Sequence, residues 1–290
     1  MLQSDFDSLT PTRAFSRRDF VRTGVGSGFA AAVLPISAQA IRTDSTGLVV
    51  GEVSIPVGSF KMPAYRAMPE GKSNLPVVLV ISEIFGVHEH IADVARRFAK
   101  QGYLAIAPEL FVRQGDAQSY GEIAKLIAEV ISKVPDVQVM GDLDASVAWA
   151  NKNGGQSSKL AVTGFCWGGR ITWLYSAHNP GVKAAVAWYG RLVGASNELT
   201  PKNPIDIASG LNAPVLGLYG GQDSGIPLDS VEKMKGALAA GSAAARRSEF
   251  VVYPDAQHAF NADYRPSYRK DAAEDGWKRC LAWFKANGVA

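Results

Sequence analysis

Cys166 stands in the run Val162-Thr163-Gly164-Phe165-Cys166-Trp167-Gly168-Gly169-Arg170, where residue types and spacing together describe a nucleophile. The pattern is G-x-nucleophile-x-G, with cysteine in the position serine usually holds. A short apolar run, Leu160 to Thr163, leads into it, and Ile171-Thr172-Trp173-Leu174-Tyr175 follows at helical spacing, so the expected local structure is strand, tight turn, helix. Glycines at 164, 168 and 169 remove side chains where the backbone must turn sharply and a helix must approach a sheet. Such an elbow lifts the sulfur above the sheet beside the positive end of the helix, which lowers a thiol's pKa and leaves it reachable. The plainer alternative is a buried cysteine among glycines that only pack.

A thiol nucleophile needs a base within hydrogen-bond reach, and the base needs a group that holds its ring. The chain has four histidines. His258 lies in Tyr253-Pro254-Asp255-Ala256-Gln257-His258-Ala259-Phe260, directly after the last apolar run, where a sheet edge would bring it toward Cys166. His88 and His90 make at most a two-ligand metal idea with no third ligand at fitting spacing, and His178 reads as a helix C-terminal cap. For the orienting acid, Tyr219-Gly220-Gly221-Gln222-Asp223 puts a carboxylate just past a strand, and Pro227 helps start the next helix. Asp255 competes, but it shares the histidine's own loop. The order nucleophile, acid, base is that of the α/β-hydrolase architecture.

The elements that must position these residues follow from periodicity. Val49, Val53, Ile55 and Val57 alternate, Gly58-Ser59 breaks the run, and Phe60 to Ala67 resumes it, which predicts an antiparallel hairpin with a two-residue turn. Val77 to Ile81 is an unbroken apolar run of the kind buried on both faces of a parallel sheet. Tyr103 to Ala107, Leu160 to Thr163, Ala184 to Trp188, Val215 to Tyr219 and Phe250 to Tyr253 add five more parallel strands. Between them, helical periods appear at Ile91 to Phe98 (stopped by Gly102), Ile123 to Val130, Met140 to Val147 (stopped at Asn153-Gly154-Gly155) and roughly 228 to 240. A closing helix sets Ala273, Trp277, Cys280, Leu281 and Phe284 on one face, so Cys280 belongs to the core. Residues 191 to 213 show no clear period and are expected to loop over the top edge of the sheet. The fold class is α/β: one open, mostly parallel sheet with helices on both faces and an N-terminal antiparallel hairpin.

Residues 1 to 40 read as an address and residues 41 to 290 as the folded domain. Ser16-Arg17-Arg18-Asp19-Phe20-Val21-Arg22 precedes a short Gly/Ala-rich apolar segment, Val25 to Ile36, and Ala38-Gln39-Ala40 supplies the small residues a signal peptidase reads. This resembles a twin-arginine export signal and predicts delivery to a bacterial periplasm by the export machinery, with no stable membrane span. The glycines at 24, 26 and 28 follow no strand and are not a nucleotide loop. A formal charge of +3 with no basic run interleaved with aromatics argues against nucleic acid as a partner. Two cysteines, one at an elbow and one in a core helix, are not expected to bridge.

Four segments in register, Ser82-Glu83-Ile84-Phe85-Gly86-Val87, Gly164-Phe165-Cys166-Trp167-Gly168-Gly169, Gly220-Gly221-Gln222-Asp223 and His258-Ala259-Phe260, resemble the dienelactone hydrolase family over roughly residues 48 to 287. The resemblance implies a Cys166, Asp223, His258 triad and an oxyanion hole from the backbone N–H groups of Ile84 and Trp167. It also implies that Glu83 contacts the resting thiol until substrate displaces it. One departure stands out: the family's two carboxylate-binding arginines have no counterpart at their positions, since the helix of 119 to 133 has none and Ala262 occupies the second place. Arg113 and Arg265 are the nearby substitutes. The expectation is a monomeric hydrolase of lactones or small activated esters that works through an acyl-cysteine, without metal or organic cofactor. Alternatives are a peptide or thioester cleaver on the same scaffold, and a non-catalytic thiol sensor or binding protein.

Overall fold

Gly58, at φ 58°, and Ser59 reverse the chain between β1 (Leu48–Val57) and β2 (Phe60–Pro69), leaving Val57 opposite Phe60. The computed structural model describes residues 40–290. Its remaining strands are β3 (Leu75–Ile81), β4 (Leu104–Pro108), β5 (Gly155–Phe165), β6 (Val182–Trp188), β7 (Val215–Gly220) and β8 (Glu249–Tyr253). They join the hairpin in one sheet of order β1-β2-β4-β3-β5-β6-β7-β8. The pairings of β1 with β2 and of β2 with β4 are antiparallel, and every pairing from β4 to β8 is parallel. All six runs expected to be parallel are therefore strands of one sheet. Val77, Val78, Leu79, Val80 and Ile81 are each fully buried, as an unbroken apolar run between two helical layers requires.

The helices are α1 (Glu89–Lys100), α2 (Ile123–Glu129), α3 (Asp136–Lys152), α4 (Trp167–His178), α5 (Pro204–Ile207), α6 (Leu228–Ala239), α7 (Ala243–Arg246) and α8 (Lys270–Ala286). On one face α1 packs on α8, the Phe98 ring lying 4.5 Å from Trp277 and 5.9 Å from Phe284. On the other, α3 and α4 are joined by the bidentate Arg170–Asp136 pair at 2.7 Å and by Tyr175 donating to Asp144 at 2.8 Å. Cys280 is fully buried in α8, and burial pushes its thiol pKa up, while Trp277 and Leu281 are only partly covered. Both cysteines are free. The chain end is also held: Tyr103 donates from its hydroxyl to the Val289 carbonyl at 3.0 Å, and Val289 is fully buried.

Three expectations need correction. Residues 191–213 are not all loop, because Asn203 caps α5 in a reciprocal capping box with Asp206, and a 3-10 turn, Ala208–Gly210, follows. A helix of one turn has too few apolar positions to show a period. The helix expected across 119 to 133 shrinks to α2, flanked by separate 3-10 turns at Ala117–Ser119 and Ile131–Lys133. Strand β5 begins already at Gly155, next to the helix stop, where a Cβ would meet Val77 Cγ2 at 2.6 Å.

The twin-arginine-type signal falls outside the described residues apart from Ala40. Just beyond it Thr43 is tied to α1, its N–H donating to Asp93 Oδ1 at 2.5 Å and its carbonyl accepting from Arg96 Nε at 2.9 Å. No helix among the described residues is long and apolar enough to cross a membrane.

Candidate active site

The elbow has the predicted form. Strand β5 ends at Phe165, Cys166 takes φ 55° and ψ −112°, and α4 starts at Trp167. A β-carbon at Gly164 would lie 2.2 Å from the Gly168 carbonyl oxygen, and one at Gly168 would lie 2.3 Å from the Ile81 oxygen, so only glycine allows α4 this close to the sheet. Cys166 N–H donates to the Trp188 carbonyl at 3.0 Å, which fastens the turn to the end of β6. The left-handed backbone of a non-glycine residue is strained, and the surrounding bonds must hold it there.

The acid and base arrive on two loops that grip each other. Past β7, Gly221 N–H donates to the Tyr253 carbonyl at 2.8 Å and Gln222 N–H to the Ala256 carbonyl at 2.9 Å. This sets Asp223, 5% exposed, against the loop after β8, where its Oδ2 lies 2.6 Å from His258 Nδ1. Pro227 stands immediately before α6, as expected. Asp255 is exposed and does not hold the ring. The Cys166 side chain also acts on His258 electrostatically. Burial opposes its positive charge, but the Cys166 sulfur and the Asp223 carboxylate outweigh burial and push its pKa up to about 10. The three residues that spacing selected are thus brought together, with Asp223 hydrogen-bonded to His258 and the Cys166 side chain acting on the same ring.

The donors expected for an oxyanion are free. Ile84 N–H and Trp167 N–H donate no hydrogen bond among the described residues, Trp167 because it occupies the first turn of α4. Two such N–H groups beside a nucleophile could stabilise charge developing on a carbonyl oxygen.

Glu83 sits differently from the implied arrangement. It is 1% exposed, and its Oε2 accepts from His88 Nε2 at 3.1 Å. Its Oε1 has no hydrogen-bond partner, Cys166 included. Burial raises the carboxyl pKa, yet His88, His90 and Arg265 more than offset this and pull it down to about 2. A carboxylate this firmly ionised and already bonded to a histidine is a poor keeper of the thiol proton. His88 and His90, read as a possible two-ligand pair, instead belong to separate bonds, with His90 Nδ1 lying 3.2 Å from Asp263 Oδ1. Among the described residues no group of three or more His, Cys, Asp or Glu is placed to hold a metal ion. His178 is the last residue of α4 but not its cap, which is Asn179; its ring bonds Asp144 instead, Nε2 lying 2.8 Å from Oδ2.

The two candidate arginines part company. Arg113 makes a bidentate pair with Asp142 at 2.6 and 2.7 Å and lies 4.2 Å over the Phe60 ring, so it joins α3 to the hairpin and is not available to a substrate. Arg265 is 5% exposed, its guanidinium set between the rings of Phe85 and Tyr264 at 5.0 and 5.1 Å. Its Nε donates to Tyr264 Oη at 2.9 Å, and it feels the charges of Glu83 and Cys166. One residue escaped the sequence reading. Tyr189, directly after β6 at φ 39°, is fully buried with its ring 5.1 Å edge-on to His258. Its place at the carboxyl end of a parallel strand was the available signal.

A mostly parallel sheet, a tight strand-turn-helix elbow after β5, an acid after β7 and a histidine after β8 define the α/β-hydrolase class. Comparison with known proteins narrows this. The model of the "Dienelactone hydrolase family" matches residues 62–288. The chain is 57% identical over 289 residues to a "Putative carboxymethylenebutenolidase" of Methylorubrum extorquens, covering 99% of this chain and 98% of that one. It is 57% identical over 263 residues to a protein of the same description from Escherichia coli, covering 90% and 96%. A crystal structure described as a "Putative Dienelactone Hydrolase" from Klebsiella pneumoniae superposes with TM-score 0.80 at 58% identity, over 82% of this chain and 98% of that one. The chain belongs to the dienelactone hydrolase family and is a hydrolase.

Proposed function

We propose that the protein cleaves lactones or small activated carboxylic esters through an acyl-cysteine, with Cys166 as nucleophile, His258 as base and acid, and Asp223 as the group that orients the imidazole. The observation that carries this reading is His258 bonded to Asp223 at 2.6 Å and under the electrostatic influence of Cys166, which stands at a strained elbow. The sulfur attacks the carbonyl carbon, and a C–S bond forms while the carbonyl electrons move to an oxygen held by the Ile84 and Trp167 amides. The C–O bond of the ester then breaks, and the leaving oxygen takes the proton from His258. Water, deprotonated by His258, attacks the thioester, and loss of the C–S bond returns the thiolate and releases the acid. Glu83 plays no part in arming the sulfur in this reading, because its hydrogen bond goes to His88. Arg265 lies at the substrate end of the site.

The test is turnover of a panel of lactones and p-nitrophenyl esters by wild type and Cys166→Ala, with rapid-quench mass spectrometry for an acyl adduct on the Cys166 peptide. Turnover that survives Cys166→Ala would rule the reading out.

We further propose that residues 1–40 act as a twin-arginine-type signal that delivers a monomeric enzyme to the periplasm, on the strength of Arg17 and Arg18 ahead of Val25 to Ile36. Arg17→Lys with Arg18→Lys should leave the protein in the cytoplasm. Its arrival outside in processed form would count against this route.

A further inference from the structure

Among the described residues five buried side-chain atoms have no hydrogen-bond partner, and two of them, Glu83 Oε1 and Tyr189 Oη, belong to side chains beside the candidate active site. Leaving a buried donor or acceptor unpaired costs free energy, so each such atom in a folded protein calls for a reason. Neither atom is reached by solvent, which rules out a bulk-water partner. The Tyr189 ring lies 5.1 Å from that of His258, while Tyr264, which accepts from Arg265 Nε at 2.9 Å, has its ring 5.2 Å from that of His88, the partner of Glu83, so these side chains all border the candidate site. Arg265 adds a third free end, since its Nε is its only hydrogen-bonding atom among the described residues.

The tyrosine is also held in place against its own preference. Its φ of 39° is left-handed, its N–H donates to the Leu218 carbonyl at 2.8 Å, and the next residue, Gly190, has no room for a Cβ, which would lie 2.3 Å from Gly169 C. Strain of this kind persists where the fold over-determines it, and it gathers at functional sites. Hydrogen bonds of a reaction are often absent from a resting site and form only when substrate is present.

The three free ends are a donor (Tyr189 Oη), an acceptor (Glu83 Oε1) and a cationic donor (Arg265 Nη). One arginine and one glutamate cancel in charge, and a second carboxylate brought here would meet the unpaired oxygen of Glu83. A hydroxyl accepts from Tyr189 or Arg265 and donates to Glu83 at once. We propose that Tyr189, Glu83 and Arg265 form a polar subsite for a neutral hydroxyl-type group carried beside the scissile carbonyl, and that this group, not a carboxylate, marks the preferred substrate. The proposal rests on the acyl-transfer reading of Cys166. A site whose buried polar groups are completed by a substrate hydroxyl strongly rejects the analogue that lacks it.

The test compares butyrolactones that differ only at the carbon next to the carbonyl, bearing hydroxyl, methyl or carboxylate, at pH 8, above the ordinary histidine range. Wild type should favour hydroxyl over methyl in kcat/KM by about tenfold or more, with carboxylate the poorest. The hydroxyl-to-methyl ratio should fall toward one in Tyr189→Phe and, separately, in Glu83→Gln. A wild-type ratio near one, a carboxylate congener turned over fastest, or a ratio unchanged in both variants overturns the subsite. Calorimetric binding of the same lactones to Cys166→Ala separates this from the reaction itself. Tighter binding of the hydroxyl congener, with no wild-type turnover of any ester, would sink the hydrolase mechanism and keep the subsite, whereas binding without discrimination sinks the subsite.

Discussion

Two ends of the same site treat their polar atoms in opposite ways. Past β5, β7 and β8, the Asp223 carboxylate is hydrogen-bonded to the His258 ring, and the Cys166 sulfur acts on that ring. Beside β3 and β6, Glu83 Oε1 and Tyr189 Oη are buried without partners. On the proposed reading, proton transfer must be aligned before the substrate arrives, which fits an end that is paired at rest. Recognition gains by leaving bonds to be made, which fits an end that is not.

The hardest test of the complete end is Cys166→Ala, which should lower kcat/KM by about ten-thousandfold or more, read with an activated ester at saturating enzyme stability. Asp223→Asn should cost about a thousandfold, because the imidazole loses the partner that fixes its tautomer. The same substitution should slow iodoacetamide capture of Cys166 at pH 6, where wild type reacts fast. The sign follows from His258: its pKa is raised from 6.5 to about 10, so the imidazolium's contribution is complete below 6.5 and fades as pH rises through about 10. Slow wild-type capture at pH 6, relieved by Glu83→Gln, would instead restore a thiol kept neutral by the glutamate.

Smaller effects sharpen the contrast between the two arginines. Arg113→Met leaves Asp142, 1% exposed, without its partner and should cost about 3 kcal/mol in urea unfolding, with kcat/KM changed less than about twofold. An activity loss larger than the stability loss explains would bring Arg113 back to the substrate. The mildest expectation concerns acid. Glu83 is depressed from 4.5 to about 2, so its contribution is full above 4.5 and is lost as pH falls through about 2. Glu83→Gln should flatten that part of the stability profile; an unchanged acid limb would mean that the His88 bond does not hold the carboxylate ionised.

The meeting of Cys166, Asp223 and His258 could be read from the sequence because it depends on residue type and chain order. Glycines 164 and 168 around Cys166 fix the elbow, and strand ends fix where Asp223 and His258 emerge. Side-chain allegiance could not be read that way. His88 lies five residues from Glu83 and takes its Oε2, while Asp142, on a distant helix, takes Arg113. Which of several equidistant charges pairs with which is decided by packing, and no period reports it. Tyr189 was hidden for another reason: aromatic residues at strand ends are common in cores, and only its backbone angle and unpaired hydroxyl set it apart.

The anchoring of Val289 under Tyr103 has a consequence in time. Tyr103 precedes the first strand of the second half, β5, by some way, and its hydroxyl is satisfied by a carbonyl from the far end of α8. The rings of Phe98 and Trp277 repeat that long-range closure a few residues away. While the ribosome still holds α8, the face of β4 and α1 that these residues cover is bare. The molecule can therefore close its native core only once α8 has emerged, and the interval before that closure is when a chaperone or a neighbouring chain would find it exposed.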